Sequence, residues 1–190
     1  MRDAPVTRAA IVAAGLALLD EGGLGGLTLR RLAERLHIRA PTLYWHVRDK
    51  RELIGLLAEA IAADAADAFG VGVSSGDPAA FLHAAAALLA ERLASRRDGA
   101  VVVAASAPAL ARLCHDEVAT GRLVAAGCEP AAARAALELV SSHVLATVLR
   151  QSGAGRVDLA PGVDLVLDAL GAGTPSACRA GGAPLQRARG

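Results

Sequence analysis

Apolar residues recur at helical spacing along the first third of the chain and predict short helices there. The first helix begins behind Thr7, a good N-cap residue, and ends near Glu21, where two glycines follow. Thr28 caps a second short helix over residues 29–36. The spacing therefore predicts two helices within the first 36 residues.

A third and a fourth helix are predicted directly after this pair. Pro41 suits the first turn of a short helix that ends near Val47. Asp49, with the carboxylate of Glu52 three residues on, has the pattern of a capping box. It opens a longer helix that continues to about Phe69, so the first part of the chain is predicted to be entirely helical.

The remainder of the chain is predicted to be helical as well, because strand alternation is absent. A loop rich in Gly and Ser over residues 70–78 separates it from the first part. A turn is expected over residues 98–105, and residues 172–190 are expected to form a disordered tail. The four longer helical segments are residues 79–95, 109–126, 131–151 and 159–170.

Composition agrees with an all-α fold, since the 54% of apolar residues are mostly Ala and Leu, which favour helices. Three cysteines do not make a disulfide framework. The opening residues do not have the pattern expected of a signal segment, and the charge-free stretch over residues 99–111 is shorter than the roughly 18 residues that a membrane span needs. We therefore expect a cytoplasmic protein, and the bias to Arg, Ala and Gly suggests a bacterial genome rich in GC.

Charge is spread unevenly along the chain. The formal net charge is only +1, but residues 28–51 hold seven basic residues against two acidic ones. Such a basic patch in front of an acidic body is typical of a nucleic-acid-binding surface. A solvated helix face would show the same excess, so charge alone leaves both interpretations open.

The spacing over residues 28–50 favours a helix-turn-helix. Ala33 is small enough for two helices to approach, His37 falls in the turn four residues later, and Leu43 faces inward ten residues after Ala33. Glycine is more usual at the turn position because the backbone tends toward positive φ, which histidine tolerates better than most residues. Two short helices joined in this way place the second one where it can enter a major groove.

The second of these helices carries the only tyrosine and the only tryptophan of the chain, side by side. Leu43 and Val47 are four residues apart and form its buried face. Tyr44 and Trp45 point about 100° apart on a helix, so at least one of them is expected to be exposed. An exposed aromatic residue in a basic patch favours binding over packing.

Residues 7–60 resemble the DNA-binding domain of the tetracycline-repressor (TetR) family of bacterial transcription regulators. The run from Pro41 to Val47, followed by Lys50, carries the resemblance, which extends more weakly over most of residues 7–171. It implies a helix-turn-helix domain over residues 1–52 and a helical ligand-binding and dimerisation domain over residues 53–171. It also implies a palindromic double-stranded DNA operator as the partner.

The resemblance implies that phosphates and base edges are contacted from the starts of three helices. Arg30 would bond a guanine edge, Lys50 would clamp a phosphate, and Ala40 stands where the family often has a polar base-contacting residue. The operator is therefore expected to differ from that of the tetracycline repressors. The implied DNA contacts are Thr28, Arg30, Ala40, Pro41, Thr42, Tyr44, Trp45, His46 and Lys50.

A homodimer built from four helices is also implied, with residues 131–151 and 159–170 contributed by each copy. Small or apolar residues at helical spacing suit such close contact. A core within one chain would show the same pattern, so that alternative stays open. The residues concerned are Ala135, Leu139, Ser142 and Ala146.

The sensed ligand is expected to be a small, mainly apolar molecule without a metal, and the sequence leaves open that the protein senses no ligand. Tetracycline repressors hold a magnesium–drug chelate, but the matching positions here are Ala66, Ala85 and Val103, which cannot coordinate a metal. Residues 151–158 are also too few to form the long segment that those repressors have around their ligand pocket. No cofactor is expected, and the residues predicted to line the ligand site are Leu89, Val103, Ser106 and Leu113.

Other function classes have little support in the sequence. A helical enzyme or ligand-binding protein with a vestigial helix-turn-helix would need a polar cluster, and the best candidate, Cys114-His115-Asp116 on one helix, does not point to one face. His83 and His143 lie on apolar faces and are expected to be hydrogen-bonded core histidines. A membrane-associated or architectural protein would need a basic amphipathic helix, which is missing. A transcriptional repressor that is not an enzyme is the favoured hypothesis.

Overall fold

The computed structural model describes residues 6–71, 77–151 and 158–173, which form helices and no strand. The predicted all-α fold class is confirmed. The ten helices of these residues are α1 (Arg8–Gly26), α2 (Leu29–Arg35), α3 (Ala40–Tyr44), α4 (Lys50–Val71), α5 (Pro78–Ala94), α6 (Gly99–Ala104), α7 (Ala107–Cys114), α8 (Glu117–Ala125), α9 (Pro130–Arg150) and α10 (Ala160–Gly173).

The N-caps predicted for the first two helices are present. Thr7 Oγ1 accepts a hydrogen bond from Ala10 N at 3.1 Å, and Thr28 Oγ1 accepts one from Arg31 N at 3.2 Å. Each hydroxyl satisfies one of the N–H groups that a helix start leaves without a partner inside the helix. These local bonds begin both helices where the sequence predicts.

Two helix ends in this part differ from the prediction. The span of α1 reaches Gly26, past Glu21, but Gly23 has a non-helical conformation with φ 60° that breaks the regular helix at the predicted stop, and a short helical stretch follows it. α3 ends at Tyr44, before the predicted end at Val47, and Trp45 is its C-cap residue. Val47 is nevertheless fully buried.

The middle of the chain corrects two further predictions. Residues 99–104 form helix α6 where only a turn was expected. The predicted helix over residues 109–126 is two helices, α7 and α8, because Asp116 caps a new helix by accepting a hydrogen bond from Ala119 N at 2.7 Å. Asp116 therefore breaks an apolar pattern that looks continuous.

Helix α4 lies at the centre of the arrangement. It packs against α1 on one side and against α5, α6 and α7 on the other. Leu53, Leu57 and Ile61 are buried along it in one continuous core that runs from Ile11 to Val166. The predicted domain boundary at residues 52 and 53 falls inside this helix.

Part of the predicted loop and most of the predicted tail lie outside the described residues. These are residues 72–76 of the loop and residues 174–190 of the tail, and α10 includes the first two tail residues. Helices α9 and α10 pack closely at Gly162. A Cβ at Gly162 would overlap the ring of His143 in α9, so glycine is what lets these two helices approach.

Two described helices, α1 and α9, are long and apolar enough by length and composition to cross a membrane. Both carry buried residues of the core described above, such as Leu19 in α1 and Val144 in α9. Core helices of helical domains have the same length and composition. These two helices do not indicate a membrane protein.

We predict that Gly162→Ala destabilises the protein by about 1–3 kcal/mol, because the added methyl group forces the His143 ring out of the α9–α10 contact. Gly121→Ala in α8 is the matched control, since a Cβ at that position would have no neighbouring atom within 4 Å. It should stabilise the helix by about 0.5–1 kcal/mol. Urea unfolding of both variants tests this, and equal effects of the two would contradict the close approach at Gly162.

Candidate nucleic-acid interface

The turn between α2 and α3 has the geometry that the spacing predicts. His37 lies in the left-handed region with φ 55°. The chain closes there through backbone hydrogen bonds from His37 N to Glu34 O at 3.1 Å and from Ile38 N to Ala33 O at 3.0 Å. Ala33 is buried between the helices. The predicted tight turn between two short helices is confirmed.

The residues that follow the turn divide into a buried and an exposed set. Leu43 is 1% exposed and Val47 is fully buried, which anchors α3 on the core. Tyr44 is 54% exposed and Trp45 is 89% exposed. The prediction that at least one of the two aromatic residues faces solvent is confirmed, because both do.

All nine residues implied as DNA contacts are exposed, and we call them the contact surface. Thr28 is the N-cap of α2, Pro41 lies in the first turn of α3, and Lys50 is the first residue of α4. The surface therefore consists of the starts of three successive helices and the residues just after α3. Its members are Thr28, Arg30, Ala40, Pro41, Thr42, Tyr44, Trp45, His46 and Lys50.

Two basic residues of the contact surface have partners in the protein. Arg30 Nε donates to Glu34 Oε1 at 2.9 Å, and both side chains are exposed. An exposed pair four residues apart on a helix is worth only about 0.2–0.5 kcal/mol, so a phosphate or a base can displace Glu34. Lys50 Nζ donates to the backbone oxygen of Leu24 at 2.7 Å, which fixes its position beside the end of α1.

A contact that the sequence did not indicate joins this unit to the rest of the chain, and we call it the clasp. The Arg96 guanidinium pairs with the Asp20 carboxylate at 2.7 Å, and Asp98 Oδ2 accepts a hydrogen bond from Leu24 N at 2.8 Å. The partners are more than 70 residues apart, and the only local signal is the turn-forming pair Asp98-Gly99. The clasp consists of Arg96, Arg97 and Asp98 with Asp20, Glu21 and Leu24.

The start of α4, which presents Lys50, is held by two carboxylates. Asp49 Oδ1 accepts from Glu52 N at 2.8 Å, as the capping box predicts. Glu52 Oε2 accepts from Arg48 N at 2.8 Å, one residue earlier than in the usual motif. The N–H of Arg48, and then its side chain, hold the pKa of Glu52 below its usual range because they stabilise the charged carboxylate.

The four residues expected to line a ligand cavity lie in the packed core. Leu89, Val103, Ser106 and Leu113 are all buried, and Ser106 caps α7 by accepting from Ala109 N at 3.4 Å. The positions at which the resemblance implied groups for a metal–drug chelate, Ala66, Ala85 and Val103, are buried alanine and valine side chains. Among the described residues, no three His, Cys, Asp or Glu side chains are placed to hold a metal ion.

Grooves also open between helices at places away from those four residues. One of about 520 Å³ lies between α5 and the start of α10 and includes His83. One of about 310 Å³ lies between α9 and α10 and includes Leu139. A third, of about 350 Å³, lies beside the clasp and includes Arg96 and Asp98.

The face of α9 that was expected to meet a second copy is left largely uncovered by the described residues. Ala135, Leu139, Ser142 and Ala146 are all exposed, and Leu165 of α10 is exposed as well. An intramolecular core would bury them. Packing among the described residues therefore does not account for their spacing.

The Cys-His-Asp run is part of two helix ends and does not lie on a single helix. Cys114 closes α7, His115 Nδ1 lies 2.9 Å from Ala111 O, and Asp116 caps α8. Burial raises the pKa of the Cys114 thiol, which disfavours the reactive thiolate. The run is accounted for by helix capping.

The two histidines on apolar faces behave differently. His83 Nε2 lies 2.9 Å from Asp164 Oδ1, which joins α5 to α10 and agrees with the expected hydrogen-bonded histidine. His143 Nε2 is buried without a hydrogen-bond partner among the described residues, so the expectation is wrong there. Its ring packs against Gly162 instead.

Residues 11–57 match the family described as bacterial regulatory proteins, tetR family. The tetracycline repressor protein class G of Vibrio anguillarum is 36% identical over 80% of this chain and 71% of its own length. The class A tetracycline repressor protein from transposon 1721 of Escherichia coli is also 36% identical, over 74% of this chain and 65% of its own length.

Solved structures extend the likeness to both parts of the fold. A TetR variant from Acinetobacter baumannii in complex with minocycline is 34% identical, with a TM-score of 0.63 over 89% of this chain and 90% of that one. BioQ in complex with its double-stranded DNA operator is 27% identical, with a TM-score of 0.68 over 88% of this chain and 99% of that one. The helix-turn-helix and the helical domain behind it are shared with both.

Glu52→Gln should lower stability at neutral pH and make little difference in strong acid. A carboxylate whose pKa is depressed in the folded state stabilises the fold above its ordinary pKa, and this stabilisation is lost as the pH falls through the folded pKa. Unfolding free energies of wild type and variant, measured in urea from neutral to acidic pH, test this. A difference that does not change with pH would show that the charge of Glu52 plays no part.

Proposed function

The chain belongs to the TetR family of bacterial regulatory proteins, and on that premise we propose how this DNA-binding transcriptional regulator works. It acts as a homodimeric repressor that a small, mainly apolar ligand releases from a palindromic operator. The observation that carries the proposal is the contact surface, where Tyr44 and Trp45 face solvent in a basic region while Leu43 and Val47 hold the helix from below. A packing role would bury the two aromatic rings.

DNA recognition requires contacts to phosphates and contacts to bases, and the contact surface offers both kinds. Side chains such as Thr28 and Lys50, and the starts of helices, hold phosphates and set the register on the duplex. Arg30 reads a guanine edge once its weak pair with Glu34 is displaced. Ala40 offers no hydrogen bond, so base recognition at that position rests on shape and on contact with a thymine methyl group.

The second copy is the proposed occupant of the apolar face formed by α9 and α10. Leu139 and Leu165 are large and exposed on it, and the groove between the two helices is lined by small side chains such as Ala132 and Ala169. Small residues allow two helix pairs to approach closely. A two-fold dimer presents two contact surfaces to the two halves of a palindrome.

The proposed ligand enters the core between α5, α6 and α7, where Leu89, Val103, Ser106 and Leu113 are buried. It is apolar because these side chains and the matching positions Ala66 and Ala85 offer no metal ligands, whereas the relative from Acinetobacter baumannii binds minocycline. Ser106 supplies the one polar contact. Because the four residues are well packed, the ligand must move helices to enter, which couples binding to a change in shape.

We propose that the protein has no enzymatic activity and works in the cytoplasm, where its operator is. The Cys114-His115-Asp116 run, the nearest approach to a catalytic cluster in the sequence, serves helix ends. The groove that includes His83 has that ring paired with Asp164. The alternative, a helical enzyme with a vestigial helix-turn-helix, does not explain why Tyr44 and Trp45 are exposed.

Fluorescence anisotropy with labelled DNA from upstream of the gene, against scrambled DNA at two salt concentrations, tests the function. Wild type should prefer the upstream DNA. Arg30→Ala should relax sequence preference at a cost of about 1–3 kcal/mol for one base pair. Lys50→Ala should weaken binding to every sequence and lower the salt slope by about one unit, because one phosphate is no longer neutralised. Equal effects of Arg30→Ala on all sequences would refute its assignment to a base.

Leu139→Asp should convert the dimer to a monomer at micromolar concentration, because a charge would be buried without a partner at the α9–α10 face. Val118→Asp in α8 is the matched control, since Val118 and Leu139 are 56% and 55% exposed in the single chain. The control should sediment as wild type. Identical sedimentation of both variants would place the interface elsewhere.

A further inference from the structure

One residue of α1, Leu24, is held by both halves of the protein through the two polar groups of its backbone. Its N–H donates to Asp98 Oδ2 at 2.8 Å, and its carbonyl oxygen accepts from Lys50 Nζ at 2.7 Å. Asp98 lies just before α6 in the helical domain, whereas Lys50 belongs to the contact surface. The Asp98 carboxylate, the Leu24 backbone and the Lys50 ammonium group therefore form a chain of hydrogen bonds. This chain connects the helical domain to the side chain that we propose holds a phosphate.

The backbone is shaped for this contact on both sides. Asp98 takes the left-handed conformation with φ 56°, which aims its carboxylate at the end of α1. Gly23 has φ 60°, and a Cβ there would come within 2.5 Å of the Asp98 carboxylate and 3.1 Å of Arg97 Nε. Only glycine at residue 23 leaves room for the approach. A left-handed residue with a side chain is a strained position that persists only when its surroundings stabilise it.

Neighbouring bonds hold the same stretch of α1 in place. Arg97 Nη1 donates to Glu21 O at 3.2 Å, and Arg96 pairs with Asp20 at 2.7 Å. These bonds fix the kinked last turn of α1 to the residues before α6. The position of the Leu24 carbonyl, and with it the anchor of Lys50, is therefore set from the helical domain.

Lys50 gains from such an anchor. A free lysine loses up to about 2 kcal/mol of side-chain entropy when it is immobilised. The bond to Leu24 O uses one of its three N–H donors and leaves two for a phosphate. Fixing the ammonium group before DNA arrives lowers the cost of the phosphate contact.

We propose that Asp98 is a positioning residue for operator binding, which acts through the backbone of Leu24 to hold the Lys50 ammonium group in place for a phosphate. The inference rests on the proposed function, because it needs Lys50 to contact DNA. Movement of α6 that withdraws the Asp98 carboxylate releases Leu24 and loosens Lys50. Asp98 thereby links the helical domain to the electrostatic part of DNA binding without touching DNA.

The test compares two substitutions at residue 98 that both accept the left-handed backbone. Asp98→Gly removes the carboxylate, and Asp98→Asn keeps an oxygen acceptor for Leu24 N. Removing a negative charge should by itself strengthen binding to DNA. We expect the opposite for Asp98→Gly, namely about tenfold weaker binding, and largely restored binding for Asp98→Asn. Glu117→Gln, on the exposed start of α8, controls for the change in charge.

The salt dependence of binding, measured on full-length protein with a duplex that wild type selects from a random-sequence pool, shows whether the effect passes through Lys50. Asp98→Gly should lower the salt slope toward that of Lys50→Met. In the double variant the slope should equal that of Lys50→Met alone, because the ammonium group that Asp98 positions is already absent. An unchanged slope in Asp98→Gly, or additive losses in the double variant, would overturn the proposal.

Amide hydrogen exchange of Leu24 in the free protein provides a readout that does not depend on DNA. Exchange should be slow in wild type and in Asp98→Asn and faster in Asp98→Gly, while Leu19 in the core of α1 stays protected in all three. Wild type that fails to bind any duplex would refute the proposed function and the inference with it. Wild type that binds with an unaltered slope in Asp98→Gly would refute the inference alone.

Discussion

The structure depends on helix α4, which packs against α1 and also against α5, α6 and α7. Leu53 and Leu57 of α4 pack under α1, where a Cβ at Gly15 would lie 2.9 Å from the Leu57 side chain, so the small residue permits a close crossing. Further along, Ile61 belongs to the core with α5, α6 and α7. Because a helix transmits position along its axis, whatever fills or empties that core also acts on the start of α4, where Lys50 lies.

Local chemistry made much of this fold predictable from sequence. Thr7 and Thr28 cap their helices, and Asp49 opens α4, because each bond joins residues only three positions apart. Asp116 is an equally local cap, yet it was missed, because apolar residues on both sides of it continue the helical period. Hydrophobic periodicity reports which side is buried, and it does not report that the chain has started a new helix.

Long-range contacts were beyond the same reasoning. Asp98 and Leu24 are separated by 74 residues, and nothing near either one signals the other. The turn and the exposed aromatic pair were predictable because they lie within ten residues of each other, whereas the other members of the contact surface were implied by the resemblance alone. The α9 face was predictable only as an apolar pattern. Its exposure among the described residues, as at Leu139, is what the proposed contact with a second copy requires.

The exposure of the contact surface also explains why the helical domain has to change DNA affinity through the backbone of the helix-turn-helix. Its side chains face solvent, and an exposed pair such as Arg30 with Glu34 contributes little to stability, so the core does not hold these side chains directly. What the core does hold is the framework: the buried Leu43 and Val47, and the end of α1. A regulator built in this way changes its affinity for DNA by shifting that framework beneath side chains that stay exposed throughout. The Leu24 backbone is a point where such a shift meets a charged group, because its N–H and its carbonyl oxygen lie on either side of the same Cα atom, so a displacement of this residue moves both.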